Sequence, residues 1–477
     1  MASPPPPADV DLGKLSYEIF SLLESKFLFG GGGGGVGSVP GTPGRPGLSG
    51  AGEERGRVRV LSIDGCGPGP GDALLAAAAL ARLEAALRTR SGDPDARVAD
   101  FFDAAAGAGA GGVLAAMLFL KGDDGRARYS AADALAFVAS SLGKSGGWGS
   151  GGRRSRWAAL LFRRADRSSS SSPSLRRVFG DATLRDTVAP LLVPCYDLAT
   201  AAPFLFSRAD AVESDSFDFR LRDVCAATCA AGGAAPAPAV RSVDGRTAIA
   251  AASGGVAAMG NPAAAAITHV LHNKQEFPLA AGVDDLLVVS IGSGSSSAGA
   301  AAAAAPVAGW RTPMPPRSPS PAEMVRLTAE GVADMVDQAV AMAFGHTCGR
   351  NYVRIQAASP ACSGKALSSL DAKKAVAVAD GMLTQRNVEA ELFRGRRLSE
   401  KSNREKLDAF AAELVKEHER RARSPGLPNV VIKQAAANAT PRPSSATTAS
   451  SATTAATGRS TTASSTMPSP AASQGSY

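Results

Sequence analysis

Residues 57–120 read RVRVLSIDGCGPGPGDALLAAAALARLEAALRTRSGDPDARVADFFDAAAGAGAGGVLAAMLFL. RVRVLSI (57–63) has the β-branched, apolar character of a strand. The glycine-rich DGCGPGPG follows, then an Ala/Leu run from about Ala73 to Thr89 that predicts a helix. The order then repeats: VADFFDAAA (98–106) reads as a second strand, GAGAG (107–111) as a sharp turn and GVLAAMLFL (112–120) as a helix. Strand, glycine turn and helix in alternation predict an α/β fold, with a mostly parallel central sheet and helices on both faces.

Further strands are expected at 191–196, 203–207, 286–292 and 351–356, and helices at 218–230, 262–273, 322–344, 370–394 and 398–422. An arm precedes this body at 1–56. It holds one amphipathic segment, in which Leu12, Leu15, Ile19, Leu22, Leu23 and Phe27 share a face, and then six consecutive glycines, Gly30 to Gly35. The body is expected over 57–423, with low-complexity inserts near 143–173 and 293–320. The Ser/Thr/Ala-rich stretch 424–477 is expected to be a disordered tail.

The chain has 477 residues, of which 45% are hydrophobic but only 5% aromatic, so its core is built from small aliphatic side chains. The glycines show no three-residue period, which excludes collagen. The densest apolar stretch, Val113–Leu120, is far shorter than the roughly 20 residues of a membrane-spanning helix. The N-terminal MASPPPPADVDLG lacks the basic and apolar regions of a signal peptide. Six cysteines without a CxxC pair are expected to be free thiols in a reducing, cytoplasmic setting. The net charge of +8 suits an anionic membrane surface or nucleic acid, but no nucleic-acid module is present. Within the first insert, Arg153, Arg154, Arg156, Arg163 and Arg164 are interleaved with Trp157 and Phe162. That mixture fits a lipid interface, at about 1 kcal/mol per cation near the surface, and fits a solvated loop equally well.

Ligands of α/β folds bind at the carboxyl ends of the strands. Two loops there carry candidate chemistry. In Asp64-Gly65-Cys66-Gly67, converging backbone N–H groups could hold an anion or oxyanion, and Asp64 is expected to cap the turn. The loop has no Walker lysine and no convincing dinucleotide fingerprint. In Gly107-Ala108-Gly109-Ala110-Gly111, flanking glycines describe a nucleophile elbow, GxSxG, with Gly109 where the serine would stand. A third element, Ser253-Gly254-Gly255 with Asn261-Pro262 behind it, leads into a helix. His269 and His272, at i and i+3, read as surface or packing residues rather than metal ligands, and no cofactor or metal is expected.

These three elements, in this order, resemble the patatin family of plant lipid acyl hydrolases. The likeness is nearest to the group III patatin-like proteins, through SIDG, DFFDAAAGAGAGGVLAAML, PLLVPCYDLATAAPFLFSRA and NPAAAAITHVLHNKQEFP. The resemblance implies a three-layer sandwich and a Ser–Asp dyad hydrolysing phospholipids or galactolipids through an acyl-enzyme. Mapped here, the nucleophile position is Gly109 and the acid position is Ser253. The oxyanion loop keeps Gly65 and Gly67, but Cys66 replaces a glycine and the family's arginine is missing. Cys66 is the only substitute nucleophile in either glycine loop, but with no histidine nearby in sequence to act as base it reads rather as filling the space where glycine usually sits. Two functions are therefore expected to compete. One is a lipid acyl hydrolase, peripheral at membranes. The other is a catalytically weak relative that binds lipid or protein and influences plant growth.

Overall fold

A computed structural model of the chain describes residues 56–65, 70–143, 173–230, 239–252, 254, 259–292, 318–357, 372–391, 395–423 and 430–433. Most of the arm, the two inserts and the tail lie outside them. The first half runs β1 (Val58–Ile63), α1 (Pro70–Ser91), β2 (Ala104–Gly107), α2 (Gly109–Phe119), α3 (Ala131–Gly143), α4 (Pro173–Phe179), β3 (Leu191–Asp197), β4 (Ala202–Ser207), α5 (Arg208–Glu213) and α6 (Leu221–Thr228). The second half runs β5 (Ala239–Arg241), β6 (Ala248–Ala252), α7 (Ala263–His272), β7 (Leu286–Ile291), α8 (Pro321–Phe344), β8 (Tyr352–Ile355), α9 (Ala372–Thr384), β9 (Arg386–Glu391), β10 (Gly395–Ser402) and α10 (Asn403–Arg423).

The main sheet has the order β5-β6-β3-β2-β1-β7-β8, with β4 also paired to β3. β1 lies parallel between β2 and β7, while β3 pairs parallel with β2 and β8 with β7. β4, β5 and β6 are the antiparallel additions. Side-chain alternation along β1 separates two cores. Leu61 and Ile63 face a large cluster with α1, α2, α3, α9 and α10. Val58 and Val60 face a smaller one with Ile267 and Val270 of α7 and Val340 and Phe344 of α8. This is the three-layer arrangement that the alternation of elements implied.

Three local expectations change. The second strand begins only at Ala104, because the Asp100 carboxylate accepts from the Arg97 N–H (2.8 Å) and closes a short 3-10 turn over Val98–Phe101. The helix expected at 370–394 stops at Thr384, and the chain continues as the β9–β10 hairpin. Its first strand is pulled to the end of β8 by the Gln356 N–H on Asn387 Oδ1 (2.7 Å) and the Val388 N–H on the Gln356 carbonyl (2.9 Å). The last helix starts at Asn403 rather than 398, behind a reciprocal cap: the Ser402 N–H donates to the Glu405 carboxylate and the Glu405 N–H to Ser402 Oγ. Sequence reading missed β5, β6, α3, α4 and α5, which are short or alanine-rich.

One buried ion cluster holds α10 against the starts of β1 and β2. The Asp103 carboxylate accepts from the Arg59 guanidinium (3.2 and 2.9 Å), from the Arg59 N–H (2.8 Å) and from both ends of the Arg421 fork (2.8 Å each). Burial would push this carboxyl up, but the two guanidiniums more than offset it and hold it below the ordinary range. Asp103→Asn takes the carboxylate from buried Arg59 and one of the two carboxylate partners from Arg421, which keeps Glu417. Urea unfolding at pH 7 is expected to show a loss of about 3–5 kcal/mol. Because the folded value is depressed, the contribution of Asp103 is full above the unfolded value of about 3.9 and is lost as pH falls through the folded one. The gap between wild type and Asp103→Asn should therefore narrow below about pH 4, and a gap that stays constant with pH would contradict this assignment.

Candidate active site

β1 and β2 end side by side, and the chain leaves both through glycines. Gly109 begins α2 with φ +51°, a left-handed conformation that costs a residue with a side chain of order 1–3 kcal/mol. The elbow is very compact. A Cβ on Gly107 would fall 2.4 Å from the Gly111 carbonyl oxygen, and one on Gly111 would fall 2.5 Å from that of Ile63. No side chain fits at either position, so both glycines are required by the turn rather than by chemistry.

Gly65 lies directly over this elbow. A Cβ there would sit 1.9 Å from the Ala108 carbonyl oxygen, and one on Gly109 would sit 3.0 Å from the Gly65 oxygen. The Gly65 N–H donates to the Gly260 carbonyl (3.1 Å), so in this conformation it is not offered to an oxyanion. The Gly109 N–H is also engaged, by Thr228 Oγ1 at 2.9 Å. Thr228 is fully buried at the end of α6, and its hydroxyl would lie 2.4 Å from a Cβ on Gly254. Elements far apart in the sequence thus meet here: the end of β1, the elbow, α6 and the chain after β6. Cys66, Gly67, Ser253 and the insert residues Arg153, Arg154, Arg156, Trp157, Arg163 and Arg164 lie outside the described residues.

Asp64 is expected to cap the turn into residues 66–69, which lie outside the described residues. Its buried carboxylate faces Arg354 of β8, with Nη1 on Oδ1 at 3.2 Å and Nη2 on Oδ2 at 2.5 Å. Arg354 also donates to Ser290 Oγ (2.6 Å) and lies 3.8 Å from the Asp337 carboxylate. Asp337 in turn accepts from the Tyr352 hydroxyl at 2.5 Å. Burial pushes the Asp64 carboxyl up to about 6, against the lowering pull of Arg354. Asp64 and Asp337 together raise the guanidinium of Arg354, which stays charged despite its burial. Sequence reading missed both Thr228 and Arg354. A lone arginine inside the strand NYVRIQ was the available signal for the second, since a buried charge needs a partner.

The remaining candidates offer no chemistry. The four described cysteines, Cys195, Cys225, Cys229 and Cys348, are free, and burial pushes the thiols of Cys195 and Cys229 up to about 12, away from a reactive thiolate. His269 is largely buried against Phe277 and its imidazole is pushed down by that burial, while His272 is exposed. Among the described residues no group of three or more ligand-type side chains could hold a metal ion. No helix among them is long and apolar enough to cross a membrane.

Residues 61–267 match the family model described as patatin-like phospholipase. The chain is 55% identical over 412 residues to patatin-like protein 3 of Oryza sativa subsp. indica, covering 86% of this chain and 92% of that one. It is 45% identical over 440 residues to patatin-like protein 7 of Arabidopsis thaliana, covering 89% and 85%. It is 38% identical over 416 residues to the Arabidopsis thaliana protein named probable inactive patatin-like protein 9, covering 85% and 94%. The glycine elbow at the end of β2, the glycine loop packed on it and this identity along most of both chains together place the protein in the patatin-like family.

Proposed function

We propose that the protein is a lipid acyl hydrolase of the patatin class, acting on phospholipids or galactolipids at a membrane surface, and that it works without an acyl-enzyme at its elbow. The carrying observation is the elbow itself. It keeps the left-handed backbone at Gly109 that presents a nucleophile in such folds, yet Gly109 has no side chain to present. Ester cleavage then requires water to attack the acyl carbonyl directly. The water oxygen bonds to the carbonyl carbon, the ester C–O bond breaks, and the proton goes to the departing alkoxide. In a serine protease, losing the nucleophile costs on the order of 10⁶ in rate. Turnover by this route is correspondingly slow.

The second reading is a lipid- or protein-binding relative with no useful hydrolysis, which influences plant growth. It is favoured by the same bare Gly109, by the occupied N–H groups of Gly65 and Gly109, and by a relative whose name calls it probably inactive. The discriminating assay is hydrolysis of mixed phospholipids and galactolipids by pure protein, with and without a fluorophosphonate. Under the first reading, slow hydrolysis is expected that the fluorophosphonate neither inhibits nor labels. Hydrolysis no faster than in buffer selects the second. Gly109→Ser alone is expected to gain little, since its hydroxyl lacks a base, whereas Gly109→Ser with Ser253→Asp should gain clearly more than the two singles together. Gly109→Ser should also lower the melting temperature, because its Cβ meets the Gly65 oxygen at 3.0 Å in a left-handed backbone. A wild type that is rapid and fluorophosphonate-sensitive would refute the bare-elbow mechanism.

Membrane contact is assigned to the Arg/Trp-rich insert, including Arg153, Arg154, Arg156, Trp157, Arg163 and Arg164. Purified protein should bind anionic vesicles less tightly as salt rises, and deletion of residues 148–167 should reduce that binding. Co-sedimentation measures both effects, and undiminished binding by the deletion removes the insert from this role.

A further inference from the structure

Arg354 has no counterpart in the chemistry described so far, yet it is one of the most heavily partnered side chains near the elbow. Ser62, Ser290 and Arg354 stand in register across β1, β7 and β8 and share one sheet face. Asp64, two residues after Ser62, continues that face into the glycine loop. Towards the strand starts the same face is apolar, with Val58, Val60, Leu286 and Val288. It turns polar only in the last rows before the loop. Arg354 therefore reaches over β7, through Ser290 Oγ, to the residue immediately before Gly65. On its other side Asp337 of α8 lies 3.8 Å away and is itself held by Tyr352.

We propose that Arg354 is a positioning residue for the glycine loop: with Asp337 and Ser290 behind it, it clamps Asp64 and thereby holds Gly65 against the elbow at Gly109. The guanidinium fork suits this task, because two parallel N–H groups fix both the distance and the orientation of a carboxylate. The neighbouring backbone is set to register any slackening. The Asp64 N–H donates to the Ile291 carbonyl (2.9 Å) and the Gly65 N–H to the Gly260 carbonyl (3.1 Å). With Gly65 packed on the Ala108 carbonyl, a shift of the loop by a few tenths of an ångström changes the space over the elbow. Any effect on turnover rests on the acyl-hydrolase reading above, whereas the clamp itself does not.

The test is amide hydrogen exchange on the full chain, comparing wild type with Arg354→Lys, Asp64→Asn and the double variant. Arg354→Lys keeps the charge and loses the fork. The Asp64 and Gly65 amides are expected to exchange about tenfold faster in it, roughly the worth of one charge-assisted hydrogen bond, while the amides of β2 and β3 keep wild-type protection. Asp64→Asn should give a similar local change, and the double variant should add little to either single. Asp337→Asn, which removes only the longer ion pair, should give a smaller local change and serves as the readout should Arg354→Lys fold poorly. Unchanged exchange at Asp64 and Gly65 in these variants overturns the proposal, as does an equal loss of protection through β1, β2 and β3, because that marks a merely structural role. Where wild type hydrolyses lipid, Arg354→Lys should lower kcat with KM little changed. If wild type shows no hydrolysis, the acyl-hydrolase reading falls and the exchange result still decides the clamp.

Discussion

The contact of bare backbone with bare backbone at the ends of β1 and β2 is the constraint on which this structure depends. Gly65 rests on the Ala108 carbonyl, Gly111 on the carbonyls of Ile63 and Asp64, and Gly107 on Gly111 itself. At each of these glycines an added Cβ would fall within 2.6 Å of a carbonyl oxygen, well inside van der Waals contact. β2 continues the pattern with Ala104, Ala105 and Ala106, all fully buried. Small residues bring α2 close to the sheet and leave the glycine loop lying on the elbow. The arrangement is geometrically that of a site that presents a nucleophile, carried by a chain that has none at Gly109.

Two polar clusters stand at opposite ends of the same sheet and do different work. At the strand starts, Asp103 gathers Arg59 and Arg421 and fixes α10, whose Leu407, Phe410 and Leu414 complete the larger core. At the strand ends, Arg354 gathers Asp64, Ser290 and Asp337. In the first, two cations surround one carboxylate, so the carboxylate is strongly favoured in its charged form. In the second, two carboxylates share one cation, and burial leaves Asp64 with a raised affinity for its proton. Buried charges are costly unless their pairing is well made, so both clusters tie remote segments to particular positions.

Family membership and residue chemistry point in different directions for this protein. The patatin-like class carries lipid acyl hydrolysis, and the elbow of this chain has a left-handed backbone at Gly109. Gly109 at the elbow carries no side chain, and the N–H groups of Gly65 and Gly109 are taken by Gly260 and Thr228. A scaffold held this tightly at a position with no nucleophile is consistent with slow hydrolysis by water or with a binding role.

The alternation of strand, glycine turn and helix over 57–120 was enough by itself to determine the α/β class and the sheet with helices on both faces, because side-chain period and glycine placement are local properties. The elbow was legible for the same reason: Gly107, Gly109 and Gly111 are neighbours in the chain. The hairpin of β9 and β10 was not, since Ala, Glu and Arg between 386 and 402 suit a helix, and the bonds from Gln356 that override this come from 30 or so residues away. Nor were the partners of the site. Asp64 reads as a turn cap because its local surroundings are glycine, and its partner Arg354 lies 290 positions further on. Thr228, 119 positions from Gly109, carries no local mark at all. Local patterning is a property of the sequence, whereas which buried donor meets which acceptor is decided only when the sheet brings β1, β8 and α6 to one end of the molecule.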